Sequence, residues 1–86
     1  MDLRGFRMTK KEYILDSLID DDECFTQIAE YFKFCEIEIS HAEIKRLLAE
    51  MLEEGYVVIN FSWQNEQYEY PYSLTEKGKE MWNRIK

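Results

Sequence analysis

From Ser40 to Gly55 the chain reads SHAEIKRLLAEMLEEG, and this stretch constrains the fold more than any other. Ile44, Leu47, Leu48, Met51 and Leu52 recur at i, i+3, i+4, i+7 and i+8, the apolar stripe of an amphipathic helix. Ser40 and Glu43 have the spacing of a capping box, and Gly55 supplies the left-handed residue at which helices stop. At about 100° per residue, the face opposite the stripe carries Ala42, Arg46, Ala49, Glu50 and Glu53.

A helix with one apolar face needs partners, and 86 residues allow a single economical domain. With 45% hydrophobic and 15% aromatic residues the chain can build a core. No run approaches the ~18 apolar residues of a membrane span. MDLRGFRMTKK has no apolar region after it and is not a signal peptide, so a cytoplasmic protein is expected. Cys24 and Cys35 lack the CxxC or His spacing of a zinc site, and His41 is the only histidine. Two thiols in a reducing compartment are expected, with no metal and no cofactor.

The formal charge is −7, from 11 basic and 18 acidic residues. That sign opposes nucleic-acid binding, because neutralising phosphates supplies most non-specific affinity. Distribution matters more than the sum. Arg4, Arg7, Lys10 and Lys11 crowd one end, and Lys77, Lys79, Arg84 and Lys86 the other. Between Leu47 and Glu76 there is no Lys or Arg, while Glu50, Glu53, Glu54, Glu66 and Glu69 lie there. Any basic face must draw on the ends, Lys10 and Lys11 among them, plus Lys45 and Arg46.

Residues 1–8 carry no periodicity and read as a flexible arm before a folded unit over 9–86. Thr9 and Glu12 form a capping box, Met8 and Tyr13 a hydrophobic staple, and Ile14, Leu15, Leu18 and Ile19 a helical stripe to about Asp20. Asp20–Glu23 lacks the alternating ligands and mid-loop Gly of a calcium loop and reads as a solvated turn. Thr26 is the expected N-cap of a second helix ending near Lys33. Cys35, Ile37 and Ile39 alternate with Glu36 and Glu38, an extended connection into the helix from Ser40.

After Gly55, YVVINFSW and QYEYPYSL read as the strands of a β-hairpin spanning 56–63 and 67–74 around a polar turn. Pro71 cannot donate to a ladder, so the second strand is expected at an edge. Thr75 caps a last helix with Gly78, Met81, Trp82 and Ile85 on one side; Gly78 would let another backbone come close.

Helix, helix, helix, hairpin, helix is an α+β order that resembles a winged helix-turn-helix domain: a three-helix core, a two-stranded wing and a C-terminal helix. The stretch FTQIAE at 25–30 resembles the start of that fold's second helix. Ile39-Ser40 followed by EIKRLLAEMLEEGYV resembles its recognition helix running into the wing. Tyr72–Gly78, YSLTEKG, resembles the Y-x-L-T-x-x-G end of the second wing strand. These features are similar to the PadR and MarR families of bacterial transcription regulators and cover most of the chain from Thr9.

The resemblance implies binding of duplex DNA, usually as a dimer, with the recognition helix in the major groove and the wing at the minor groove. The groove-facing positions it implies are Ser40, His41, Glu43, Lys45 and Arg46. Two departures stand out. The wing, Gln64–Gln67, has no Arg or Lys, and Ser73 stands where those families often carry a basic residue. Extra dimerising helices are usual in the families, and eleven residues after Thr75 leave room for one short helix.

Arg46 and Lys45 are the candidates for base-edge or phosphate contacts. The competing reading is a solvated face with Arg46 paired to Glu50 at i,i+4. On the hairpin, Ile59, Phe61 and Tyr72 are expected in the core. Two readings stay open for Trp63, Tyr68 and Tyr70, nearer the tip: exposed, where grouped aromatics favour protein recognition, or folded down over the helices to supply core that so small a domain otherwise lacks. Nothing assembles an enzyme site: one His, no phosphate loop, no nucleophile motif. The leading function is therefore a regulator-like duplex-DNA-binding domain using residues 40–54; the alternative is an acidic protein-interaction module that does not bind DNA and uses the aromatic wing. A stripe of Met81, Trp82 and Ile85 wider than its own domain can cover would pair two copies as a homodimer.

Overall fold

The computed structural model describes residues 8–85. The expected arm at 1–8 therefore lies outside them apart from Met8, as do Arg4, Arg7 and Lys86. Three helices come first, α1 (Lys10–Leu18), α2 (Phe25–Phe34) and α3 (His41–Glu54). Strands β1 (Val57–Ile59) and β2 (Tyr72–Leu74) and helix α4 (Glu76–Ile85) follow. The fold is a winged helix of the α+β class.

Local chemistry starts each helix. Thr9 and Glu12 form the full capping box of α1. Ser40 accepts the Glu43 N–H at 3.0 Å and caps α3. The α2 cap differs from expectation: Cys24, not Thr26, is the N-cap, and its N–H donates to Gln27 Oε1 at 2.7 Å. Thr26 is the second residue of the helix, within its first turn, and turns to the wing instead. Its N–H and hydroxyl donate to the Glu69 carboxylate at 3.3 and 2.9 Å, so a residue 43 positions away caps the helix.

Two helices end the same way with different residues. After α3, Gly55 at φ 84° lets Tyr56 N–H reach Met51 O. After α2, Ile37 N–H reaches Phe32 O and Glu36 N–H reaches Lys33 O, the double bond of a Schellman turn. Here the left-handed position is Glu36, at φ 59°.

Ile14, Leu15, Leu18, Ile28, Phe32, Ile44, Leu47, Leu48, Met51 and Val57 form the core where the three helices meet β1. Fully burying a side chain of this kind contributes about 1.5–3 kcal/mol, which is how so short a chain closes a core.

The hairpin is shorter than its sequence pattern. β1 and β2 pair antiparallel with Val57 opposite Leu74, Val58 opposite Ser73 and Ile59 opposite Tyr72. One further bond, Asn60 N–H to Pro71 O at 2.8 Å, closes the ladder. Nor is β2 an edge throughout: Tyr72 exchanges both backbone bonds with Glu23, in the acidic turn between α1 and α2. Pro71 is tolerated because it sits just before the strand, where its carbonyl is used and its missing N–H is not.

The YSLTEKG segment fastens α4. Thr75 accepts Gly78 N–H at 3.0 Å and donates its hydroxyl to Gly55 O at 2.6 Å, tying the start of α4 to the end of α3. A Cβ on Gly78 would stand 2.3 Å from Tyr56 O, so only glycine permits this approach. Met81, Trp82 and Ile85 are half-buried against the core, and Trp82 Nε1 donates to Asp16 on α1 at 3.2 Å. Asp16 also accepts the Tyr31 hydroxyl, joining α1, α2 and α4. Burial first, then the bond to Asp16, pushes the Tyr31 phenol far up. No helix among the described residues is long and apolar enough to cross a membrane.

Candidate nucleic-acid interface

The exposed face of α3 carries His41, Ala42, Lys45, Arg46 and Ala49. Phe25, the first residue of α2, organises its beginning. His41 packs edge-on to the Phe25 ring at 5.2 Å, and Lys45 Nζ lies over the same ring at 5.1 Å. A cation over an aromatic face is held by the ring quadrupole, which keeps Lys45 near the wing.

The other cations are drawn to carboxylates on α3 itself. Arg46 reaches Glu50 at 2.6 Å and Glu43 at 3.6 Å. Lys10 lies 3.2 Å from Glu43, and Lys11 lies 2.9 Å from Glu50 and 3.1 Å from Glu54. Glu43 thus gives its carboxylate to cations rather than to the return half of the Ser40 capping box. The ladder leaves its mark on both signs. Bonds to Glu50 and Glu54 raise the Lys11 ammonium, and Lys11 foremost, helped by Arg46, lowers the Glu50 carboxyl.

Ser40, His41, Glu43, Lys45 and Arg46 therefore gather at the start of α3, with Lys10 beside Glu43. Lys11 is set apart, one turn or more down the helix at Glu50 and Glu54. Sequence spacing shows Arg46–Glu50, which is local. It carries no signal for Lys11–Glu50, a contact made only when α1 crosses α3.

The wing borders this face. A cleft of about 300 Å³ opens between α3, the start of α2 and the hairpin, lined by Phe25, Lys45, Ile59, Phe61, Glu69, Tyr70 and Tyr72. Burial pulls the Glu69 carboxyl upward, but bonds from Asn65 and Thr26 and the nearby Lys45 charge outweigh it, so the group sits below its usual range. Phe61, expected in the core, is 69% exposed, because the ladder ends at Ile59 and the chain turns outward after Asn60. Trp63, Tyr68 and Tyr70 are exposed as well. Of the C-terminal candidates, Met81, Trp82 and Ile85 face inward enough to be half-buried. No group of three or more potential metal ligands occurs among the described residues.

No protein-family model matches the sequence, and no curated protein matches it. Solved structures do match the fold. A PadR family transcription regulator from Clostridium difficile R20291 superposes with a TM-score of 0.79 at 18% identity, covering 88% of this chain and 81% of that one. Bacillus subtilis PadR in complex with operator DNA gives 0.73 at 25% identity over 87% of this chain. Lactococcus lactis ZitR, a zinc-responsive MarR family member, gives 0.72 at 24% identity over 94% of this chain. The chain spans 44% of that PadR and 53% of that ZitR, about half of each. The architecture built above is thus that of a winged-helix domain similar in fold to PadR- and MarR-family transcription regulators.

Proposed function

We propose that the chain is an intracellular winged-helix regulator module that binds duplex DNA through α3. The observation that carries this reading is the exposed face of that helix. Lys45 and Arg46 lie between the small residues Ala42 and Ala49, so a groove can approach closely. Ser40 and His41 sit at the same end, where base edges would be met, and Lys10 and Lys11 flank the face for phosphate contacts. Bacillus subtilis PadR, solved with operator DNA, is similar in fold and supports the reading.

Binding has an electrostatic cost here. Arg46, Lys10 and Lys11 must exchange carboxylates for phosphates, so net affinity rests on the difference. Titration of a duplex at two salt concentrations tests this. Four basic contacts should give a log–log slope of roughly −3.6. Absence of binding even at low salt would overturn it.

A second reading is favoured by the wing, which presents aromatics and no cation. On that reading the domain is an acidic protein-interaction module, and the salt titration separates the two.

A further inference from the structure

We propose that the wing tip and the acidic turn Asp20–Glu23 form one docking surface for a basic segment of another protein, one in which Arg or Lys alternates with apolar residues. This takes up the wing surface of the second reading above and, unlike that reading, does not require α3 to be free of DNA.

The apolar half is a built ridge. Phe61 and Tyr70 stack edge to face at 4.9 Å, and Trp63 and Tyr68 continue the exposed surface, Tyr68 being 80% exposed. The loop beneath them is ordered by one side chain. Asn65 Oδ1 accepts the N–H groups of Gln67 and Glu69 at 3.0 and 2.8 Å, and Asn65 Nδ2 donates to the Glu69 carboxylate at 2.8 Å. Within this frame Tyr68 is held at φ 62°, a left-handed conformation costly for an aromatic residue. A strained residue that keeps a large ring in water is a common mark of a recognition site. Rigid aromatics held this way lose little entropy when covered.

The charged half is fastened to the ridge. Asn60 Nδ2 donates to Asp22 at 3.1 Å, and Glu23 pairs with Tyr72 through both backbone bonds. Asp20 and Asp21 are exposed there, and Glu66 is exposed at the tip. Burial foremost raises the Glu23 carboxyl, and the neighbouring Asp21 and Asp22 charges add to it. Two cations stand nearby and both are engaged: Lys79, which lines the cleft beside the turn, has Glu76 within 3.8 Å, and Lys45, which lines the cleft with Phe61 and Tyr70, is held over the Phe25 ring.

This combination selects the partner. Phosphates approaching the wing would meet carboxylates, which disfavours DNA at this surface. A second copy would oppose acid to acid, each chain carrying −7. A cationic, partly apolar segment satisfies both halves, because guanidinium groups stack on aromatic faces and pair with carboxylates.

The probe is a labelled peptide of alternating arginine and leucine, with its glutamate–leucine counterpart as control. Binding is followed by anisotropy near physiological salt and by amide shifts of the full chain. The arginine peptide should bind, shift residues 60–70 and 20–23, and weaken about tenfold with Phe61→Ser or Trp63→Ser. Asp20→Asn with Asp21→Asn should weaken it too, and circular dichroism should show each variant folded. Shifts spread evenly over Glu50–Glu54 and Glu76–Glu80 would mean attraction to net charge alone and would overturn the proposal. So would no binding, wing shifts produced by duplex DNA, or self-association abolished by Phe61→Ser. Duplex binding at α3 with no peptide binding would remove this proposal and leave the DNA reading intact.

Discussion

Arg46 Nη1 stands 2.6 Å from the Glu50 carboxylate, one turn along the same exposed helix face. The most favourable cation for reading a groove is therefore already paired, and Glu50 holds Lys11 as well, at 2.9 Å. Glu50→Gln should release both, raise duplex affinity and steepen the log–log salt slope by about 0.9 for each cation newly engaged. Arg46→Ala should weaken DNA binding and leave stability within about 0.5 kcal/mol, as for most exposed positions. An unchanged slope in Glu50→Gln would show that Glu50 does not compete with phosphate.

Glu69 joins the wing to α2, since its carboxylate accepts from Thr26 and Asn65. Glu69→Gln should destabilise by about 1 kcal/mol, the usual worth of a helix cap. Those bonds hold the folded-state carboxyl below its ordinary range. The stabilisation is therefore complete above the ordinary carboxylate range and lost as pH falls through the lower folded value. Urea unfolding across acidic pH should show wild type and Glu69→Gln converging; parallel curves would refute the assignment.

Glu36 occupies a left-handed position that elsewhere in the chain is given to Gly55. Glu36→Gly should stabilise by about 0.5–1 kcal/mol, the left-handed strain less the extra chain entropy of glycine. For a domain this size, 1 kcal/mol moves Tm by about 4–8 °C. A thermal melt with Tm unchanged or lowered would contradict this.

Gly78 faces Tyr56 O, which a Cβ would approach to 2.3 Å. Gly78→Ala should cost about 1–3 kcal/mol by overpacking, despite alanine's better helix propensity. Chemical denaturation measures it, and a more stable alanine variant would mean that α4 can shift at no cost.

Self-association is expected through whatever part of the Met81, Trp82 and Ile85 stripe the domain leaves uncovered. Two chains of −7 repel, so a dimer through this patch should tighten with salt, opposite to DNA binding. Sedimentation equilibrium of wild type and Trp82→Ala at low and moderate salt reads this directly. A wild type that stays monomeric at high concentration in both buffers would end the dimer proposal.

The sequence alone determined the elements whose causes are local. Thr9 and Ser40 start helices because their partners lie three residues on. Gly55 stops one through its own backbone freedom, and the 3.6-residue stripe of α3 became the middle of the core. Gly78 was legible as a close approach, though not what it approached. Tertiary structure decided what depends on residues far apart in the chain. Glu69 rather than a neighbour caps Thr26, from 43 positions away, and Glu23 pairs with Tyr72, so the strand expected at an edge gained a second partner. Alternation continued past Ile59 without a ladder to support it, which is why Phe61 reads as core and stands in water. Lys10 and Lys11 had no local partners in sequence, and only the crossing of α1 over α3 set them on Glu43, Glu50 and Glu54. Capping and periodicity act within a turn or two and leave a mark in spacing. Ion pairs and bridges between elements follow from packing, and no spacing records them.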